Sequence, residues 1–185
     1  MQAINPNAKF PAIVDSRSGE EIKVWESAAI VIHLAEIAKS ELLPTEPAAR
    51  ARVLTWVIFQ AANIGPHSGN LFHFMTQQKM TPADYPIQRF GNEVARLFTV
   101  MDTQLASNAY IAGDAYSLAD IMLFHWVQAF FTMLPAHFTE VADFVGLSDT
   151  SKFTNLRAWV DKVAERPAVK KTAEVYELPP FKVAE

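Results

Sequence analysis

Cysteine is absent from the 185 residues, which excludes disulfides, thiolate zinc sites, Cys-x-x-Cys redox chemistry and a cysteine nucleophile together. Positive charge is also scarce. Lysine and arginine total 16 against 20 acidic residues, a net charge of −4, and no basic run occurs. Nucleic acid is therefore not expected as a partner, since phosphate binding needs clustered cations. Long apolar runs are missing too. The most apolar stretch, Ile121 to Leu134, is interrupted by His125 and Gln128 and closed by Pro135. It is too short and too polar for a membrane span and reads as a buried helix. Met1 to Asn7 shows no basic segment followed by an apolar run, so no secretory signal is read there. His33, His67, His73, His125 and His137 fall at no metal-ligand spacing, and no metal site is expected. His125, inside the apolar stretch, reads as a hydrogen-bonded core residue. No G-x-S-x-G or triad order supports a serine nucleophile.

What is present is an ordinary globular composition, 50% hydrophobic and 19% charged, on a chain long enough for one large domain or two small ones. Its character changes at Pro44-Thr45-Glu46-Pro47, where two prolines in four residues mark a linker. Before it lies the only strand-like sequence. The apolar run Pro11 to Asp15 and the alternating run Ile22 to Trp25 flank turn residues Ser16 to Glu20, which predicts an antiparallel hairpin. A helix follows from Ser27 to Ala38, with Ser27 as its N-cap.

After the linker everything reads as helix. One helix is expected from Ala48 to about Asn63, ending at Gly65-Pro66. Ile87, Phe90, Val94, Leu97, Phe98, Met101 and Leu105 recur at steps of three and four and mark a second. Ser117 to Leu134 is apolar nearly all round, as at the centre of a bundle. Phe153, Leu156, Trp159, Val160 and Val163 mark another, closed by Pro167. The expected division is 1–40 for a small strand-and-helix unit, 41–47 for the linker and 48–185 for an all-α domain.

Three segments offer chemistry. Asn5-Pro-Asn-Ala-Lys-Phe-Pro11 leads straight into a strand, and Pro11 lacks an N–H. A tight X–Pro turn there leaves the backbone of Phe10 free to pair with an extended ligand, although the same residues also describe a plain loop ending in proline. Trp25-Glu26-Ser27 opens a helix, where unpaired N–H groups favour a carboxylate. With Glu26 for an ammonium group and the Ser27 hydroxyl, the pair suits an amino-acid zwitterion. Equally, it describes an N-cap with an acidic neighbour, worth about 1 kcal/mol of helix stability. Ser117-Leu-Ala-Asp120 is a capping box whose role is folding.

Taken together, these segments resemble the glutathione transferase family. Asn5 to Asp15 is similar to the loop before that family's third strand, with a cis-proline at Pro11. Trp25-Glu-Ser-Ala-Ala-Ile30 is similar to its glutathione-binding Glu-Ser pair, and Tyr110 to Ile121 to the capping-box region of its helical domain. The stretch Trp56 to Phe74, with Gln60 and Gly65-Pro66, is most similar to the bacterial Nu class and the yeast nitrogen-regulator-like members. The resemblance implies a mostly α protein, a truncated thioredoxin-like ββα unit followed by an all-α bundle. It also implies glutathione as cosubstrate, with conjugation to, or reduction of, small hydrophobic electrophiles, disulfides or peroxides. A cytoplasmic homodimer is implied as well. Phe10 would pair through its backbone with the cysteinyl unit while Pro11 holds the turn. Glu26 and Ser27 would hold the γ-glutamyl ammonium and carboxylate, and Lys9 lies toward the glycine end. Arg89 matches an arginine that reaches the tripeptide in Nu-like members, although on a polar helix face it also reads as a solvated charge. Asn63, Pro66 and Met75 would contribute to the hydrophobic-substrate pocket.

The resemblance begins part-way. The family's first β-α-β and most of its second helix have no counterpart in these residues, and that piece carries the group that activates the glutathione thiol. A thiol of pKa about 8.5 is only a few per cent thiolate at pH 7. Lowering that pKa by roughly two units takes about 2.7 kcal/mol. No residue in 1–39 is an evident substitute donor. Either the chain begins inside a longer transferase, or it is a catalytically inactive glutathione- or protein-binding module.

Overall fold

A computed structural model describes residues 2–149 and 151–175. Met1 and residues 176–185, which the expected division counts in its first and last segments, lie outside the described residues. Strands β1 (Ala12–Asp15) and β2 (Ile22–Trp25) pair antiparallel in the register Ala12↔Trp25 to Asp15↔Ile22. Helix α1 (Ser27–Ile37) follows and packs on both strands. The hairpin is where turn residues separate two apolar runs. Asp15 locks its end: the carboxylate accepts from Arg17 Nε at 2.8 Å and pairs with His33 Nε2 of α1 at 2.9 Å.

Residues 38–46 form a strap into the helical bundle. Leu43 is buried, and the backbone N–H of Leu118 donates to the carbonyl of Leu42 at 3.0 Å. An ion pair between Glu36 of α1 and Arg50 also spans the two parts. Helix α2 (Pro47–Phe59) begins with proline in its first turn. Glu46 caps it, its carboxylate accepting from Ala48 N at 2.9 Å and Ala49 N at 2.7 Å.

The expected stop at Gly65-Pro66 does not occur. A π turn (Gln60–Ile64) carries α2 directly into α3 (Gly65–Thr76). Proline in an uninterrupted α-helix loses a hydrogen bond and clashes with the carbonyl four residues back. The wider π turn immediately before it relieves both conflicts. Pro135 is likewise no terminator: α5 (Leu118–His137) runs two residues beyond it, because a proline so near the end disturbs only the last turn. Pro167 does close α7 (Thr154–Ala164), and it also opens α8 (Pro167–Val175).

Helix α4 (Tyr85–Leu105) buries Ile87, Val94, Leu97, Phe98, Met101 and Leu105, the stripe its periodicity predicts. It packs chiefly against α3, α7 and α6 (Thr139–Val145). Gly91 permits the last approach, since a Cβ there would stand 3.0 Å from Phe144 and Val145. Helix α5 is central, packing on α2, α6 and α7. By length and composition alone it could cross a membrane, but it buries Leu123, Phe124, Val127, Phe130 and Leu134 in the protein core. His125 departs from expectation. It lies exposed beside Phe124, on the side of α5 turned away from the core.

The capping box is present as expected. Ser117 Oγ accepts from Ala119 N at 3.3 Å, and the fully buried Asp120 accepts from Ser117 N at 2.9 Å. Asp120 does more than cap, accepting also from Ile111 N at 3.1 Å and Trp159 Nε1 at 2.8 Å. One carboxylate thus ties the 106–117 loop and α7 to the start of α5.

Candidate functional site

The hairpin register brings two of the three segments together. Because Ala12 stands opposite Trp25 at the last rung of the ladder, the residues that flank that rung, Pro11 and Glu26, lie at the same end of the hairpin. Lys9, Phe10, Pro11, Glu26 and Ser27 therefore gather at one end of the ββα unit. The Phe10–Pro11 peptide bond is cis, and the Phe10 side chain is 83% exposed.

Asn5 shapes the approach to this turn, a role the sequence reading missed. It is buried, donates from Nδ2 to the carbonyl of Lys9 at 2.7 Å and accepts at Oδ1 from Asn7 N at 2.9 Å. An asparagine two residues before a second asparagine, with proline between, is the local signal for such an Asx turn.

The start of α1 also differs from expectation. Ser27 is the first helical residue, not the N-cap. Glu26 occupies the cap position with φ +71°, and no side chain there bonds the first turn. A non-glycine residue at positive φ is strained and persists where its surroundings hold it. Here β2 must end and α1 begin within one residue. The first-turn N–H groups of α1 thus lack a side-chain cap and carry the helix's partial positive charge. Beside them stand the half-buried Ser27 and the exposed Glu26.

The remaining candidates are not all gathered here. Arg89 is exposed near the start of α4, on the bundle. Its charge, with those of Arg96 and His67, helps hold the Glu93 carboxyl below its ordinary pKa, the Arg96 hydrogen bond being the largest cause. Asn63 sits half-buried in the π turn, its carbonyl hydrogen-bonded to His67 Nδ1 at 2.8 Å, and Pro66 is exposed just beyond. Met75 lies nine residues further along, about 13 Å at 1.5 Å per residue. It is only 3% exposed, within the core. Met75 follows Leu71 by four residues on the buried face of α3, so it packs the bundle instead of lining an open cleft with Asn63 and Pro66.

A groove of about 690 Å³ is lined by Ala35, Glu36, Lys39, Leu43, Pro44 and Arg50. It lies at the C-terminal end of α1, a helix length from Ser27, and shares no residue with the gathered site. Among the described residues no group of three or more His, Asp or Glu side chains is placed to hold a metal.

An antiparallel hairpin with one helix packed on it, joined through a strap to an all-α bundle, is the arrangement of a partial thioredoxin-like unit that carries a C-terminal helical domain. Residues 73–167 match the family described as glutathione S-transferase, C-terminal domain. The chain is 36% identical over 171 residues to a glutathione S-transferase domain-containing protein of Dictyostelium discoideum, covering 90% of this chain and 61% of that one. It is 32% identical to the disulfide-bond oxidoreductase YfcG of Escherichia coli, covering 89% of this chain and 71% of that one. Among solved structures it is similar to the glutathione transferase YghU of Streptococcus pneumoniae, complexed with glutathione, at 36% identity and a TM-score of 0.82. That match covers 96% of this chain and 65% of the other. The chain belongs to the glutathione S-transferase family. It spans about three fifths of the length of the Dictyostelium relative.

Proposed function

We propose that this chain binds glutathione at the Phe10–Ser27 end of its ββα unit and takes part in glutathione-transferase chemistry. That chemistry is conjugation to, or glutathione-dependent reduction of, small hydrophobic electrophiles, disulfides or peroxides. The observation that carries the reading is the register whose last rung, Ala12↔Trp25, leaves the Phe10–Pro11 turn, Glu26 and the start of α1, which no side chain caps, at one end of the hairpin. The free edge at Phe10 suits the peptide backbone of the cysteinyl unit. The first-turn N–H groups of α1 and the Ser27 hydroxyl suit the γ-glutamyl carboxylate, and the Glu26 carboxylate suits its ammonium group. Lys9, one residue before the turn, faces the glycine end. A glutathione-bound relative of similar fold supports the ligand, and an oxidoreductase relative supports the reductive branch. Arg89 and a pocket that includes Asn63 and Pro66 belong to this reading as bundle-borne contributors.

In this reading residues 1–40 form the glutathione-binding unit, 41–47 the linker and 48–185 the helical domain, and the protein acts as a cytoplasmic homodimer. A second reading, a binding module without catalysis, draws on one observation. The ββα unit exposes Phe10, Val14, Trp25, Leu34 and Ile37, apolar side chains of the kind that mark interaction surfaces.

The test is retention of the 185-residue chain on immobilised glutathione, followed by a conjugation and a disulfide-reduction assay. Retention that Glu26→Ala or Ser27→Ala weakens supports the site, and no retention removes it. Turnover by this chain sets aside the binding-module reading.

A further inference from the structure

Asn5 is a polar side chain buried beneath an exposed turn. It is 2% exposed, whereas every residue from Pro6 to Phe10 is exposed. Burying a carboxamide is costly unless its hydrogen bonds are made, and here both ends of the group have a partner. Oδ1 accepts from the backbone N–H of Asn7 at 2.9 Å, and Nδ2 donates to the backbone carbonyl of Lys9 at 2.7 Å. These partners fix which way round the carboxamide lies, since an N–H only donates and a carbonyl only accepts. The carbonyl of Asn5 accepts in turn from Ala8 N at 2.9 Å. Asn5 thus holds residues 7, 8 and 9 in succession. Between them the chain passes through the left-handed region at Ala8, φ +54°, a conformation that a non-glycine residue keeps where its surroundings impose it.

The consequence falls one residue further on. Lys9 and Phe10 are joined by a trans peptide bond. In such a unit the carbonyl of the first residue and the N–H of the second share a plane and point in opposite directions. With the Lys9 carbonyl drawn down onto buried Asn5, the Phe10 N–H is turned away from it, to the exposed side of the turn. Pro11 has no N–H, so Phe10 supplies the last backbone donor before β1. We infer that Asn5 is a positioning residue for glutathione: through the Lys9 carbonyl it aims the Phe10 N–H at the backbone carbonyl of the cysteinyl unit. This rests on the glutathione reading above and adds to it the group that sets the turn before the ligand arrives. Without the Nδ2 tie the Lys9–Phe10 peptide unit is free to rotate, and ordering it on binding costs affinity.

Calorimetric titration with reduced glutathione, together with NMR of the backbone amides, tests the role in the wild type, Asn5→Ala and Asn5→Asp. The aspartate keeps an acceptor for Asn7 N–H and loses the donor to Lys9. The wild type is expected to bind, with the Phe10 amide proton moving downfield at saturation as it takes up a hydrogen bond. Both variants are expected to bind about fivefold more weakly. At saturating ligand their Phe10 response falls while that of the Ser27 amide persists, a difference that a general loss of structure does not produce. Absence of binding by the wild type removes the glutathione reading and this role with it. Binding by the wild type without a Phe10 response, or with Asn5→Asp matching its affinity, overturns the role of Asn5 and leaves the glutathione reading standing. An equal loss at Phe10 and Ser27 does the same. If Asn5→Ala does not fold, Asn5→Asp decides, and if neither folds the wild-type Phe10 response decides alone.

Discussion

Asp120 and Glu26 are both carboxylates at the start of a helix, and they differ in what depends on them. Asp120 is fully buried and accepts hydrogen bonds from the Ile111 and Ser117 backbone, the Ser117 hydroxyl and the Trp159 indole. Burial pushes its pKa up while these donors pull it down. Asp120→Ala strands several buried donors and should lower unfolding stability by about 3 kcal/mol in chemical denaturation, whatever ligand is present. Glu26 is exposed and bonds none of the first-turn N–H groups. Glu26→Ala keeps the Cβ and should change stability by less than about 0.5 kcal/mol, while retention on glutathione falls. The sequence distinguished the two in part. Ser-x-x-Asp before an apolar run is a capping box by its spacing alone. Ser27 also looked like a cap, and was not one, because β2 and α1 meet with a single residue between them and that residue takes the cap position. The reach of Asp120 to Trp159, 39 residues on, had no local signal.

At the scale of elements, periodicity was sufficient for α4 and α7, whose apolar positions recur at one helical face, and for the hairpin, where turn residues separate two short apolar runs. Proline misled where its cost was met by neighbours. Pro66 follows a π turn and Pro135 falls in a last turn, so neither ended its helix, and a rod of some thirty residues read as one ending near residue 63. Helix contacts were not legible either. Gly91 sits on the stripe of α4, yet only the fold shows that Phe144 and Val145 press against it. Gly91→Ala removes a flexible residue from a helix, which alone would stabilise it, but the new methyl forces α4 and α6 apart. The net expected from such overpacking is a loss of about 1–3 kcal/mol, read as a lower denaturation midpoint with an unchanged slope.

For the whole molecule, the ββα unit and the bundle are joined by the strap, the Leu118–Leu42 hydrogen bond and the Glu36–Arg50 pair. The hairpin is tied to α1 through Asp15, which Arg17 and His33 hold far below the ordinary carboxylate range, the Arg17 hydrogen bond contributing most. A depressed pKa means that the folded state favours the ionised carboxylate. Its stabilising contribution is present above the unfolded value of about 3.9 and is lost as pH falls below it toward the folded value. Amide hydrogen exchange in β1, β2 and α1 should therefore quicken in acid relative to α4 and α5. Asp15→Asn should flatten that part of the pH dependence.

At this scale the account's central claim is that the Phe10–Pro11 turn and the start of α1 form the glutathione-binding surface of this chain. Calorimetric titration of the 185-residue protein with reduced glutathione tests it most directly, alongside Ser27→Ala. The account predicts saturable binding, weakened about tenfold by the substitution, equivalent to about 1.4 kcal/mol, with the variant's unfolding midpoint unchanged. Absence of binding, or equal affinity in the wild type and the variant, would contradict it.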